Sequence, residues 1–449
     1  MPLPPKTLAQ LHAYLAGGRS SSRALTEQAL DAATHSSEAG KTFLAVHAAS
    51  ARATADAIDL QRAAKLPLPP LAGIPISIKD LFDEAGQTTR AGSRVLDGAP
   101  AAANDSTIVQ RLRAAGAVII GRTNLVEFAY SGLGLNPHYG TPRNPWQREN
   151  GRIPGGSSSG AAISVTDGMA AAAIGTDTGG SVRIPSALCG LTGFKPTARR
   201  VPMQGVLPLS PSLDSIGPLA RSVACCALLD AVLAGEAPNA LKPARLQGRH
   251  FAVPRTLVFD GIDATVAAAF ESAGRRLSQA GAVLVDIDLP EFAELAHINR
   301  LGGFTASEAW AWHRPLLETR GGDYDPRVAG RMRRGAAMTA ADYLQLQSDR
   351  RRWIASLTAR LTDFDGMLMP TVPVIAPPIA ALDSNEELYA ATNLLILRNP
   401  TLINFLDGCA LSLPCHAPGE APVGLMLAGL RNEDAQILRL GAAIEAALS

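Results

Sequence analysis

Residues 155–190 read GGSSSGAAISVTDGMAAAAIGTDTGGSVRIPSALCG and contain two Gly-Gly-Ser elements. The first element ends at Ser157 and the second at Ser181. Consecutive glycines can adopt positive φ and allow a backbone to approach a ligand closely. A serine that follows such a pair lies beside several backbone N–H groups, and acyl transfer needs a hydroxyl next to such donors. The stretch therefore predicts a site of nucleophilic chemistry.

Strand and helix patterns alternate on both sides of this stretch. Short apolar or alternating runs predict strands at residues 74–78, 117–120, 170–176, 282–288, 367–369, 410–413 and 423–427. Capping residues and helical periodicity predict helices at residues 107–115, 159–167 and 264–280, after Thr339, from Glu433, and in a short piece between Ser181 and Pro185. This alternation favours an α/β fold with a covered sheet.

Composition narrows the class of protein. The chain has 449 residues, 47% of them hydrophobic, with 41 basic and 40 acidic side chains. This composition allows a sizeable core, and near-neutral charge argues against a general nucleic-acid or anionic-membrane surface. No apolar run reaches the ~18 residues of a spanning helix, and the N-terminal residues do not resemble a secretory signal. Five cysteines without a CxxC pair indicate a reducing compartment, and we predict a cytoplasmic protein.

A serine nucleophile requires a base that accepts its proton. The eight histidines are scattered, and none lies in a recognisable motif. Lys79 is the better candidate, because it ends an apolar strand on the face opposite Ile74, Ile76 and Ile78.

The second Gly-Gly-Ser element also predicts an oxyanion site. Ser181 is expected to begin a helix, and the first N–H groups of a helix have no intrahelical partner. We therefore expect the N–H groups of Thr178, Gly179, Gly180 and Ser181 to face the oxyanion.

Other interpretations of these loops are weaker. Residues 156–160 also match G-x-S-x-G, which would make Ser158 the nucleophile of an α/β-hydrolase-type esterase. That motif needs a hydrophobic strand before it, whereas residues 147–154 are polar and end in proline. No phosphate-binding G-x-x-x-x-G-K-[ST] motif occurs. Cys189 could be a nitrilase-type nucleophile, although a packed small residue is the better interpretation.

Taken together, the motifs resemble the amidase signature family. The similarity extends from about Leu8 to the C-terminus. The matching segments are Ile76–Asp80, Thr123-Asn124, Asn144–Trp146, Gly155–Gly160, Gly175–Thr197, Met369–Thr371 and Pro422–Leu425.

The resemblance implies a fold and a division of the chain. It implies one large α/β domain, with a mixed central sheet that helices cover on both faces. Within this domain, residues 1–60 are expected to form an N-terminal helical segment and residues 61–225 the catalytic core. Residues 226–449 are expected to form the variable half that completes the sheet and the substrate pocket.

The resemblance also assigns catalytic roles. Ser181 corresponds to the nucleophile that becomes acylated, Lys79 to the base, and Ser157 to the bridge between them. Ser157 and Ser181 are 24 residues apart, which is the spacing typical of the family. The family holds the bridging serine through a cis peptide, here Gly156–Ser157.

The substrate-binding and supporting residues follow in the same way. Ala129 is assigned to substrate binding together with the oxyanion loop, and Ser158 to a supporting role. Ser159 stands where many relatives have glycine, a departure that leaves Ser157 and Ser158 in place.

This mechanism requires the amine of Lys79 to be uncharged. A protonated amine cannot accept a proton, so the pKa of Lys79 must fall from ~10.4 towards ~7–8. Burial lowers this pKa, whereas Asp80 and Asp177 would raise it if their carboxylates faced the amine. We therefore expect Asp177 to be turned away and paired with Arg183, a pair that would also hold the oxyanion loop.

The C-terminal half carries two features with open interpretations. Arginines between Arg314 and Arg352 either steer an anionic substrate or tRNA, or form a solvated helical face. Trp310, Trp312 and Trp353 either line an aromatic pocket or belong to the core.

We predict an amidase that hydrolyses a carboxamide or a related C–N bond and requires neither a metal nor a cofactor. Its partners are expected to be a small-molecule amide and, from the habit of the family, a second copy in a homodimer, with no nucleic acid and no membrane. One alternative is the glutaminase subunit of a tRNA-dependent amidotransferase. A binding protein without catalysis is the other.

Overall fold

A mixed β-sheet crosses the whole molecule, which the computed structural model describes for residues 3–449. In chain order its eleven strands are β1 Phe43–Val46, β2 Pro75–Lys79, β3 Val118–Thr123, β4 Ala172–Thr176, β5 Thr192–Lys195, β6 Ile216–Ala220, β7 His250–Pro254, β8 Val283–Ile287, β9 Gly366–Pro370, β10 Cys409–Pro414 and β11 Gly424–Gly429. Across the sheet they lie in the order β1-β3-β2-β4-β6-β5-β10-β11-β9-β7-β8.

The sheet combines parallel and antiparallel pairs. Strand β2 is parallel to its neighbours β3 and β4, and β7 is parallel to β8 and β9. The other neighbours are antiparallel. The predicted mixed α/β sheet is therefore confirmed. The carboxyl ends of β2, β3 and β4 meet at one edge, because these three strands run in the same direction.

Helices make up most of the remaining chain. The α-helices are α1 Leu8–Ala16, α2 Ser22–His35, α3 Ala39–Thr42, α4 Ala48–Ala63, α5 Thr107–Ala114, α6 Ser159–Thr166, α7 Arg183–Cys189, α8 Val223–Ala234, α9 Ala264–Gln279, α10 Glu291–Ile298, α11 Gly303–Arg320, α12 Pro326–Arg333, α13 Ala340–Leu361, α14 Ile379–Asp383, α15 Glu386–Leu406 and α16 Asp434–Leu448. Short 3₁₀ helices span Glu127–Ala129, Arg148–Asn150, Gly321–Asp323 and Arg334–Ala337. Within residues 3–449, none of the helices is long and apolar enough to cross a membrane.

Helices cover the sheet on both faces. In β11, Leu425 and Leu427 pack in the same core as Ile444 of α16. The alternate residues Met426 and Ala428 pack in a second core with Trp353 and Leu357 of α13. Since successive side chains of a strand point to opposite faces, two separate cores require cover on each side of the sheet.

The alternating pattern at residues 74–78 forms β2, as predicted. Ile76 and Ile78 lie in the larger core, and Ser77 and Lys79 project from the other face. That second face is buried as well, because α6 covers it and the Ser164 hydroxyl lies 2.8 Å from the Ser77 hydroxyl. A polar residue at the end of this strand is therefore removed from water.

Two local predictions need correction. The short helix does not begin at Ser181 and end before Pro185, since α7 begins at Arg183 and runs through Pro185 to Cys189. Proline is tolerated there because N–H groups in the first turn of a helix have no intrahelical partner. The N-terminal segment is not wholly helical either, because β1 pairs with β3 at the edge of the sheet.

Candidate active site

Lys79, the last residue of β2, is the centre of a buried polar cluster. Its side chain is fully buried, and its amine Nζ lies 2.7 Å from the Ser157 hydroxyl. The second partner is the hydroxyl of Thr176, at 2.8 Å. Thr176 ends β4, the parallel neighbour of β2, so the strand ends themselves bring these groups together.

Burial changes the protonation of this amine. Removal from water lowers the pKa of Lys79 to about 7, although the carboxylates of Asp177 and Asp214 act in the opposite direction. At pH 7 to 8 a large fraction of the amine is therefore neutral and carries a lone pair. The two hydroxyl partners are uncharged, so they do not restore the ordinary pKa.

Ser157 lies in a loop that is tightly packed between two other chain segments. The Gly156–Ser157 peptide is cis, as the resemblance implied. Its position is fixed by backbone bonds from Gly156 N–H to the Gly132 carbonyl and from Val126 N–H to the Ser157 carbonyl. Gly156 is required there, because a Cβ would lie 2.6 Å from the Gly134 nitrogen.

Ser181 lies between β4 and α7, at the wall of a cavity. Ser158 donates its N–H to the Ser181 carbonyl at 3.3 Å, which joins the two Gly-Gly-Ser loops. The expected hydrogen bond between the Ser157 and Ser181 hydroxyls is absent. Within residues 3–449 the Ser181 hydroxyl has no hydrogen-bond partner at all, while the Ser157 hydroxyl is bonded to Lys79. One rotation about χ1 changes the direction of the Ser181 hydroxyl.

The oxyanion loop differs from the prediction at one position. Gly180 was expected to offer its N–H to an oxyanion, but that N–H donates to the Asp177 carboxylate at 2.8 Å. The N–H groups of Thr178, Gly179 and Ser181 have no acceptor within residues 3–449. Thr178, Gly179 and Ser181 also line the cavity, so three donors are available there rather than four.

Asp177 is paired with Arg183, as predicted, and makes no hydrogen bond to Lys79 within residues 3–449. The Arg183 guanidinium donates to its two oxygens from Nε at 3.0 Å and from Nη2 at 2.9 Å. Burial alone would raise the pKa of Asp177, but Arg183 outweighs it and holds this pKa far below its usual range. Asn404 of α15 adds a further hydrogen bond to the same carboxylate. This ion pair fixes the loop that carries Ser181.

The cavity at Ser181 has a volume of ≈ 90 Å³. Its wall contains residues of the oxyanion loop together with apolar and hydroxyl side chains from elsewhere, which are Ala129, Tyr130, Ser131, Leu209, Leu213, Thr305, Leu397 and Thr401. Ala129 and its neighbour Phe128 have φ values of 61° and 50°, in the left-handed region. Strain of this kind is common at binding sites, where surrounding contacts enforce it.

Comparison with known proteins identifies the family. A protein-family model described as Amidase matches residues 24–438. The chain belongs to the Amidase family. This match confirms the prediction of an amidase-class protein, and three similar proteins agree with it.

A 2-amino-5-chloromuconic acid deaminase from Comamonas testosteroni is 40% identical over 405 residues, which cover 89% of this chain and 86% of the relative. A glutamyl-tRNA(Gln) amidotransferase subunit from Chloroflexus aggregans is 34% identical over 98% of this chain and 96% of its own. A crystal structure of an amidase superposes with a TM-score of 0.87 at 31% identity, covering 99% of this chain and 100% of the other.

Two residues of this candidate site had not been predicted. Thr176 contacts the Lys79 amine, and its position at the end of a strand next to β2 was the available signal. Asp214 accepts the hydroxyl of Thr178, and it comes from a segment that no motif marks. The cavity residues from α11 and α15 were missed for the same reason, since only the folded chain brings them to Ser181.

The rejected nucleophiles lie in packed positions. The Ser158 hydroxyl is fully buried and donates to the Thr176 carbonyl at 3.4 Å. Cys189 is buried on α7, where burial raises the pKa of its thiol far above the usual value. Neither residue lines the cavity at Ser181.

The structure also shows where the C-terminal arginines and tryptophans lie. Arg331 donates to the Tyr130 carbonyl and Arg350 to the Ser212 carbonyl, and these two arginines stabilise the fold. Other arginines of the segment are exposed and form the solvated face, namely Arg314, Arg333, Arg334, Arg351 and Arg352. Trp353 is fully buried in the second core, whereas Trp312 is 38% exposed. None of the three tryptophans lines the cavity.

Proposed function

We propose that this protein hydrolyses a carboxamide or a related C–N bond through an acyl-Ser181 intermediate. The observation that carries the proposal is the buried amine of Lys79, 2.7 Å from the hydroxyl of Ser157, in a loop that is bonded to the Ser181 carbonyl through the Ser158 N–H. Family membership and the deaminase relative from Comamonas testosteroni support the same chemistry.

In the first half of the reaction, neutral Lys79 accepts a proton from Ser157, which accepts one from Ser181. Ser181 Oγ then forms a bond to the carbonyl carbon, and the N–H groups of Thr178, Gly179 and Ser181 stabilise the oxyanion. This step requires the Ser181 hydroxyl to turn towards Ser157. Such contacts are often formed only when substrate is bound.

In the second half, the protons return along the same route. Protonated Lys79 gives its proton through Ser157 to the leaving nitrogen, the C–N bond breaks, and ammonia or an amine departs. Water then attacks the acyl-serine, its proton passes to the relay, and the carboxylate product is released with Ser181 regenerated.

The test is a hydrolysis screen over amides, esters and carbamates, with Ser181→Ala as the blank. We expect turnover of at least one amide by the native chain and none by the variant. A fluorophosphonate probe should label Ser181 in the native protein. Failure of both turnover and labelling in folded protein would favour the non-catalytic binding protein.

A second candidate is the glutaminase component of a tRNA-dependent amidotransferase. The amidotransferase relative from Chloroflexus aggregans, which is 34% identical over 98% of this chain, favours it. Purification of the chain alone, with glutamine hydrolysis measured with and without added partner proteins, separates the two candidates. Glutaminase activity that appears only with partners would replace the free amidase.

We also propose that the protein works in the cytoplasm as a homodimer. All five cysteines are unpaired, which suits a reducing compartment. Cell fractionation tests the location, and light scattering tests the oligomeric state.

A further inference from the structure

The segment of residues 209–214 lies between the oxyanion loop and the C-terminal helices. Its last residue, Asp214, is 5% exposed and accepts the N–H groups of Leu209 and Ser210, each at 3.0 Å. The third donor is the hydroxyl of Thr178 in the oxyanion loop. Asp214 therefore ties this segment to the loop that is proposed to stabilise the oxyanion.

The outer side of the segment is held by Glu308 of α11. The Glu308 carboxylate accepts the hydroxyls of Ser210, at 2.5 Å, and Ser212, as well as the N–H of Ser212 at 3.1 Å. Tyr343 of α13 donates its hydroxyl to the same carboxylate at 2.7 Å. A continuous set of hydrogen bonds thus runs from α13 and α11 to Thr178.

Both carboxylates are held by neutral donors. Neither Asp214 nor Glu308 has a lysine, arginine or histidine within ion-pair distance in residues 3–449. Burial raises the pKa of Asp214 to about 6. A buried carboxylate without a counter-ion is costly for a fold, and here three neutral donors, one of them the Thr178 hydroxyl, compensate for the cost.

The position of Thr178 indicates that role. The Asp177 carboxylate accepts the N–H groups of Gly180 and Val182 and so fixes the C-terminal end of the oxyanion loop. The Asp214 carboxylate fixes the N-terminal end of the same loop by accepting the Thr178 hydroxyl. Gly179 lies between these two anchors with its own N–H free, at the wall of the cavity. With only one anchor, the free N–H groups would not be fixed relative to Ser181.

We propose that Asp214 is a positioning residue that fixes the oxyanion loop through the Thr178 hydroxyl, and that Glu308 connects this anchor to α11 and α13. The inference rests on the function proposed above. Its consequence is that loss of the anchor lowers the rate of attack by Ser181 more than it weakens substrate binding, because donors aimed at an oxyanion act in the transition state.

The first experiment compares Thr178→Val, which removes the hydroxyl at nearly constant volume, with Thr178→Ser, which keeps it. We expect Thr178→Val to slow fluorophosphonate labelling of Ser181, and kcat for p-nitroacetanilide or the best amide of the screen, by about 10–100-fold, with KM changed less than about threefold. Thr178→Ser should retain both rates within about threefold. Equal rates for the two variants would overturn the proposal.

Asp214→Ala should slow labelling at least as much as Thr178→Val, and the double variant should be no slower than Asp214→Ala alone, because both changes break the same contact. Additive losses would contradict a shared anchor. Glu308→Ala should slow labelling by about 3–10-fold, and an unchanged rate would remove Glu308 from the proposal.

A matched control separates positioning from general damage. Thr26 on α2 is a buried threonine whose hydroxyl has no partner among residues 3–449, so Thr26→Val should leave labelling and turnover within about twofold. Melting curves show whether each variant is folded. If Ser181→Ala still hydrolyses the amide, the proposed function fails. If Ser181→Ala is inactive while Thr178→Val is fully active, only the positioning role fails.

Discussion

The Lys79 amine shows how a single buried side chain makes chemistry possible. It lies between two hydroxyls at 2.7 and 2.8 Å, and no carboxylate of the described part of the chain, residues 3–449, is in contact with it. A salt bridge at this position would keep the amine protonated and unable to accept a proton. The strand ends of β2 and β4 therefore supply the neutral environment that the proposed base requires.

The first prediction concerns the leaving group. Lys79→Ala should abolish amide turnover but retain more activity on activated esters such as p-nitrophenyl acetate, because an amine must be protonated to leave and a nitrophenolate need not be. Initial rates on a matched amide and ester of the same acyl group provide the measurement. Equal fractional losses on both substrates would argue against Lys79 as the proton carrier.

The second prediction concerns pH. The amine acts as a base only when it is deprotonated, and burial lowers its pKa to about 7. The value of kcat/KM should therefore rise with pH through about 7 and reach a plateau above about pH 8. A profile from pH 5.5 to 9 measures this limb. A rate that is flat between pH 6 and 8 would contradict the assignment.

At the scale of elements, the oxyanion loop depends on a buried ion pair. Asp177 and Arg183 are both fully buried, and two guanidinium N–H groups and the backbone N–H of Arg183 donate to the Asp177 carboxylate. Loss of one partner from such a pair leaves an uncompensated charge in the protein interior.

The third prediction follows from this pair. Arg183→Leu should lower the free energy of unfolding by about 3–5 kcal/mol, as measured by urea denaturation. The control is Arg23→Gln, which breaks exposed pairs with Glu27 and Asp56 and should cost less than about 1 kcal/mol. Equal costs for the two changes would show that the buried pair does not hold the loop.

Some of these elements could be predicted from the sequence, and others could not. Strands β2 and β4 followed from alternation and from an apolar run, and the Asp177–Arg183 pair followed from the need to keep Asp177 away from Lys79. The extra turn of α7 was missed, because proline was read as a helix stop although it occupies the first turn. The engaged N–H of Gly180 could not be read from the sequence, since it depends on the rotamer of Asp177.

On the scale of the whole molecule, the site combines two halves of the chain. The proposed base and nucleophile come from residues 79–181, but Leu213, Thr305 and Leu397 of the cavity wall come from later segments. Sequence motifs mark the first half because its glycines and serines have special backbone roles. They do not mark the second half, where ordinary apolar and hydroxyl side chains become neighbours only after folding.

The fourth prediction separates stability from chemistry. Trp353 is fully buried in the second core, where it donates its indole N–H to the Glu291 carbonyl. Trp353→Ala should lower the free energy of unfolding by about 3–5 kcal/mol, as measured by urea denaturation. Trp312→Ala, at a site that is 38% exposed, is the control and should cost much less. A greater loss for the exposed tryptophan would contradict the two-core description.

The unbonded hydroxyl of Ser181 has a kinetic consequence. Before acylation this hydroxyl must turn towards Ser157, and because it has no hydrogen-bond partner within residues 3–449 the turn breaks no existing hydrogen bond. The backbone of both glycine loops is already fixed by its own hydrogen bonds. In a rapid-mixing experiment with an activated ester, release of the first alcohol should begin without a lag.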